Sequence, residues 1–173
     1  MNLIEKAKNL AHEAHDSIGQ KRKYSGLPYW VHTDEVANTV STITCDENII
    51  AAAHGHDLAE DVFPINSKYN LIYISNILGL IATNYIVELT DIYTKENYPD
   101  LNRKARHRLE NERLSVISYG AKTIKLADIL SNTKNIMEDE PVFGKKYIYE
   151  KLEVLPLLKD GNYTLYSELK NQL

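Results

Sequence analysis

Four side chains of metal-ligand type stand out in this 173-residue chain: His32, the doublet His56-Asp57, and Asp128. Two imidazoles and two carboxylates form a mixed nitrogen and oxygen donor set, which suits Mn, Fe, Co or Zn better than a pure Mg site. Such a set leaves room for water or a substrate oxygen, as hydrolysis at a metal centre requires. Glu60 and Asp61 follow one turn after the doublet, where they could orient or deprotonate an attacking water. Asn132, one turn beyond Asp128, could hydrogen-bond a ligand residue or a substrate.

The chain carries a second His-Asp doublet, His15-Asp16, so the doublet alone selects nothing. Context does. In DENIIAAAHGHDLAEDV, Ile49 and Ala53 define an apolar stripe at helical spacing that runs on through His56 to Glu60, and Ile50 and Ala53 lead likewise to Asp57 and Asp61. Ionisable groups that continue a core-facing stripe are costly to bury unless paired or bound to a metal. His15-Asp16 has no carboxylate pair after it and reads as an ordinary helix-end feature.

The elements that must position these residues are all helical. A first helix is expected over about residues 2 to 18, with Ile4, Ala7, Leu10, Ala11 and Ala14 on its apolar face and its end near Gly19. A basic loop with Gly and Pro follows. Thr33 reads as an N-cap, with Asp34 and Glu35 in the first turn, and this would hold His32 at a helix entrance. Asp46 reads as the cap of the helix that carries His56 and Asp57, and Pro64 closes that segment. Further helices are expected over about 66 to 78, 80 to 93 and 101 to 118, with Gly79 separating the first two. In AKTIKLADILSNTKNIM, residues Ile124, Ala127, Leu130 and Met137 form a core stripe, and Asp128, Asn132 and Asn135 share the adjacent face. From about 144 to 171 the chain reads as packing helices without chemistry, broken near Pro156 and Gly161.

Length, 43% hydrophobic and 25% charged residues, and a helical pattern throughout point to one all-α domain over residues 1 to 173, a helical bundle. A lone Cys45, with nothing resembling a leader or a membrane span, points to a reducing cytoplasm and no membrane. The net charge of −4 argues against stable nucleic-acid binding. An anionic substrate must therefore meet local basic clusters, of which there are two: Lys21-Arg22-Lys23, and Arg103, Lys104, Arg106 and Arg108. Arg103 and Arg106 are the candidates for the phosphate end of a substrate.

With these residues placed, the chain over roughly residues 5 to 137 resembles the HD-domain metal phosphohydrolases, and within them the RelA/SpoT-type and small stand-alone alarmone hydrolases. The resemblance rests on AHEAHDSIGQKRKYSGLPYWVH, AAAHGHDLAEDV, VELTD and IKLADILSNTKNI, met in that order. It implies a helical bundle, a metal ion, usually Mn, held by His32, His56, Asp57 and Asp128, and a Glu60-Asp61 pair at the chemistry. It assigns the loop from Lys21 to Ser25, with Arg22, Lys23 and Ser25, to the nucleotide base, and Asn132, Lys134 and Asn135 to the base and ribose. The implied reaction is hydrolysis of the 3′-pyrophosphate of ppGpp or pppGpp to GDP or GTP and pyrophosphate, without synthetase activity. Lys23 stands where a base-stacking Arg is frequent, and Lys lacks the planar fork of Arg. An adenine alarmone, NADPH or a nucleoside monophosphate is the alternative substrate, and a silent nucleotide-binding protein the alternative class.

Overall fold

The computed structural model describes all residues except Tyr24 and Asn135, and the side chains of Glu138 and Asp139. Among the described residues it contains helices and no β-strand, apart from an isolated bridge between Lys21 and Pro28. Helix α1 (Leu3–Ser17) begins with a reciprocal cap: the Asn2 side chain accepts from the Glu5 amide while the Glu5 carboxylate accepts from the Asn2 amide. Helices α2 (Trp30–Ser41) and α3 (Glu47–Gly55) follow, then a π-helical segment Leu58–Val62, α4 (Leu71–Leu89), α5 (Arg103–Ser115) and α6 (Tyr119–Thr133). The short α7 (Ile136–Asp139), α8 (Pro141–Val154), a 3-10 turn Leu155–Leu158 and α9 (Tyr163–Gln172) complete the chain.

Helix α3 lies at the centre. Its residues Ile49 to Gly55 are all buried, against α1, α2 and α4, and the small Ala51, Ala52, Ala53 and Gly55 let these neighbours approach closely. Gly55 suits this close approach: a Cβ there would sit 2.9 Å from the Ile86 Cδ1 of α4, which would have to shift. Helix α6 packs against α2 and α9, and its buried Ile124, Leu126, Ala127, Ile129 and Leu130 join the same core. Truncating a core side chain such as Leu126 to Ala costs about 2–5 kcal/mol in settings of this kind.

The Asp46 cap forms as expected, its carboxylate accepting from the Asn48 amide at 2.8 Å. Thr33 is not a cap. Helix α2 starts three residues earlier, and Thr33 is buried within it with its hydroxyl donating to the Trp30 carbonyl, so His32 lies in the first turn. Gly79 interrupts α4 at φ 81°, a conformation open to glycine without strain. The stretch Ser67–Leu89 is long and apolar enough to cross a membrane by length and composition, but this break divides it into two short rods. Helix α4 also ends at Leu89 rather than 93, and the charged helix spans 103 to 115 rather than 101 to 118. Met137 is 39% exposed and lies in α7 rather than on the α6 stripe, because α6 ends at Thr133.

Candidate active site

His32 from α2, His56 and Asp57 from the end of α3, and Asp128 from α6 converge as the sequence suggests. The Nε2 atom of His56 lies 3.0 Å from Asp57 Oδ2 and 3.7 Å from Asp128 Oδ1, and that of His32 lies 3.2 Å from Asp128 Oδ1 and 3.8 Å from Asp57 Oδ2. The donor atoms of His32, His56 and Asp57 all fall within 4.8 Å of one another. Both imidazoles are almost wholly buried.

The other ring nitrogens decide what these Nε2 atoms offer. His56 Nδ1 is 2.9 Å from the Ala53 carbonyl, which can only accept, so Nδ1 carries the proton. His32 Nδ1 is 3.0 Å from Ser131 Oγ, whose own hydrogen goes to Glu35 Oε2 at 2.9 Å, so the hydroxyl must accept from the ring. In the neutral imidazoles each Nε2 therefore presents a lone pair, and neither has a hydrogen-bond partner. Two lone pairs facing two carboxylates require a cation among them, and the donor set fits a divalent metal. Without such a charge a proton takes its place: burial opposes the charged form of His56, yet the Asp57 and Asp128 carboxylates outweigh it and raise its pKa.

Each carboxylate is held. Asp57 Oδ2 accepts from the Tyr29 hydroxyl at 2.7 Å. Asp128 accepts from Asn132 Nδ2 at 2.6 Å through Oδ1 and pairs with Lys125 Nζ at 3.0 Å through Oδ2. Burial would raise the Asp128 pKa, but the Lys125 charge and the two imidazoles hold it well below the carboxylate range. Lys125 is a site residue that the sequence reading missed, although its place three residues before Asp128 puts both on one helix face.

The acid pair follows from a change of helix type. After Gly55 the chain opens into the π-helical turn, where the Phe63 amide donates to the Leu58 carbonyl five residues back. The expected α-helical stripe from Ile49 to Glu60 therefore does not continue unbroken. Asp61 Oδ2 accepts from Gln20 Nε2 at 2.7 Å, and Glu60 Oε2 accepts from the Asp91 amide at 3.1 Å. Burial of its carboxylate, with the negative charge of Asp91, raises the Glu60 pKa to about 7, though much of the side chain stays at the surface. Burial and Asp57 raise that of Asp61 to about 6. Both acids can thus exchange a proton near neutral pH.

A cavity of about 520 Å³ adjoins the cluster through Tyr29, Ser131 and Asn132. Its walls include Arg22, Lys23, Ser25 and Lys134, and Arg22 donates to Asn132 Oδ1 at 3.0 Å. Asn135 lies outside the described residues. Phe143 and Tyr147 of α8 close the far wall, so the C-terminal part contributes more than packing. The apolar spacing there carries no sign of this, since a pocket wall and a core face share one pattern. His15 exceeds a helix-end feature too: it is fully buried with its ring 4.9 Å from that of Tyr29. Arg103 and Arg106 are not brought to the cavity wall. Arg103 forks onto Glu150, with Nη2 at 2.7 Å, and Arg106 donates to the Leu101 carbonyl.

The model of the HD domain family matches residues 7–153. This chain belongs to the HD domain family. Over 116 residues the HD domain is 30% identical to a Drosophila melanogaster protein, guanosine-3′,5′-bis(diphosphate) 3′-pyrophosphohydrolase MESH1. That match takes in 66% of this chain and spans 59% of the relative's length. The HD domain also superposes on the solved structure of a metazoan ortholog of SpoT that hydrolyzes ppGpp and plays a role in starvation responses. The TM-score is 0.83 at 24% identity, over 99% of this chain and 94% of that one. The likeness bears out the all-helical fold.

Proposed function

We propose that this HD domain is a metal-dependent 3′-pyrophosphohydrolase of ppGpp and pppGpp, located in the cytoplasm, with Mn as its metal. The observation that carries the reading is the junction of two unpartnered imidazole lone pairs with a cavity walled by cations and aromatic rings. The names of the relative and of the solved structure supply the substrate. His32, His56, Asp57 and Asp128 would hold the ion. When bound, it supplies Lewis acidity toward phosphoryl oxygens.

The residues of the chain perform the rest. Arg22, Lys23, Ser25, Asn132 and Lys134 bind the nucleoside end, and Tyr29 keeps Asp57 turned inward. Glu60 takes a proton from the attacking water and Asp61 orients that water. The new P–O bond forms at the phosphorus on the ribose 3′ oxygen, the bond to that oxygen breaks, and a proton from the acid pair restores the 3′-hydroxyl. GDP or GTP and pyrophosphate leave.

The test is to incubate chelator-stripped protein with ppGpp, with and without added Mn, and to separate the products by anion exchange. GDP and pyrophosphate formed only with metal bear the reading out. Absence of both, with Mn bound, overturns it in favour of another nucleotide, and NADPH and adenine alarmones are then assayed in the same way.

A further inference from the structure

His15 is fully buried at the end of α1, and a buried polar ring is costly unless its hydrogen bonds are made. Its Nδ1 lies 2.6 Å from Gln20 Oε1, and Gln20 Nε2 lies 2.7 Å from Asp61 Oδ2. Only one orientation of the amide satisfies both contacts. The carboxylate must receive an N–H, which turns the amide oxygen toward His15 and requires the proton on Nδ1. We propose that His15 and Gln20 are positioning residues, a two-link relay that fixes the rotamer of Asp61 relative to the metal ligands. The inference rests on the role of Asp61 in the proposed hydrolysis.

The loop geometry supports it. The Gln20 amide donates to the His15 carbonyl at 3.1 Å, and the Tyr29 amide donates to the Gln20 carbonyl at 3.1 Å. Tyr29 in turn donates its hydroxyl to Asp57. One pinned pair of loop residues therefore contacts both the ligand Asp57 and the acid Asp61. Asp61 lies in the π-helical turn, and the Gln20 amide reaches its carboxylate from the loop after α1.

The relay is tested with Gln20→Glu, His15→Asn and His15→Gln. Glu keeps the shape of Gln but presents an oxygen to Asp61. Asn places its amide nitrogen where His has Nδ1, whereas Gln reaches the Nε2 position and loses the donor. Expected for Gln20→Glu is a kcat for ppGpp about 10–100-fold lower with KM and Mn affinity within about twofold. His15→Gln should follow it, and His15→Asn should recover to within about threefold of the parent. Equal kcat in the parent and Gln20→Glu, or parallel loss of kcat, KM and Mn affinity, overturns the relay. Crystal structures of the parent and Gln20→Glu give a readout independent of turnover: an unmoved Asp61 carboxylate also overturns it. Should the parent bind Mn yet leave ppGpp intact, the substrate reading fails, and a displaced Asp61 in Gln20→Glu still supports the relay.

Discussion

Two basic clusters of similar composition meet opposite fates in this molecule. Arg22 and Lys23, in the loop after α1, line the cavity beside the His-Asp cluster, where Arg22 reaches Asn132. On α5, Arg103 is taken up by Glu150, Arg108 by Glu112 and Arg113 by Glu110, and these residues face a separate groove or the packing of α5. The same charges in sequence thus become a cavity wall in one place and a network of ion pairs in the other. What separates them is the density of carboxylates around each: α5 meets Glu110 and Glu112 of its own and Glu150 and Glu153 of α8, while the loop meets Glu140, paired with Lys23, and the aromatic start of α8, Phe143 and Tyr147.

Substitutions should reproduce this contrast, and the largest effect belongs to the cluster side. Asp57→Ala should abolish Mn binding, read by calorimetry, and ppGpp hydrolysis together; activity in a metal-free variant would remove Asp57 from the ligand set. Glu60→Gln comes next, with kcat lower by about 100-fold or more and Mn affinity retained. The pH profile sharpens the same point. With pKa values of about 7 for Glu60 and about 6 for Asp61, the acids lose their protons as pH rises from 6 to 7, so kcat should climb through that interval and level above it. Glu60→Gln should remove the upper inflection.

Smaller effects test the two cation groups against each other. Arg22→Ala should raise KM for ppGpp about tenfold, the worth of one charge-assisted hydrogen bond, with kcat little changed. Arg103→Ala should leave kcat and KM within about twofold and lower stability by no more than about 1 kcal/mol, because Arg103 is a largely exposed partner in its pair. A tenfold loss of turnover in Arg103→Ala would dissolve the contrast.

The sequence made much of this legible where a residue type conflicts with its surroundings. His56 and Asp57 continue an apolar stripe, so a polar purpose could be read directly, and Asp128 shares with Asn132 the face beside another such stripe. The loop cations and Asn132 were legible through the order of motifs. Other features have no local signature. The π turn hinges on tertiary packing of Leu58 and Val62, both wholly buried. Thr33 has the side chain of a cap, but Tyr29 and Trp30 pack early enough to start α2 before it. Phe143 and Tyr147 reach the site only because α8 folds back to it, and a spacing that looks like core serves equally as cavity wall.

The π-helical turn carries one more lesson. Because Leu58–Val62 winds with one residue more per hydrogen bond than the helix before it, the angular offset between the ligand pair and the acid pair depends on an integer number of residues. Side chains on this turn can be exchanged one for another at graded cost. An insertion or deletion of a single residue between Asp57 and Glu60 cannot be graded: it swings the acids by roughly 100° about the axis. Homologous segments of this protein are therefore expected to vary in letters here and never in length.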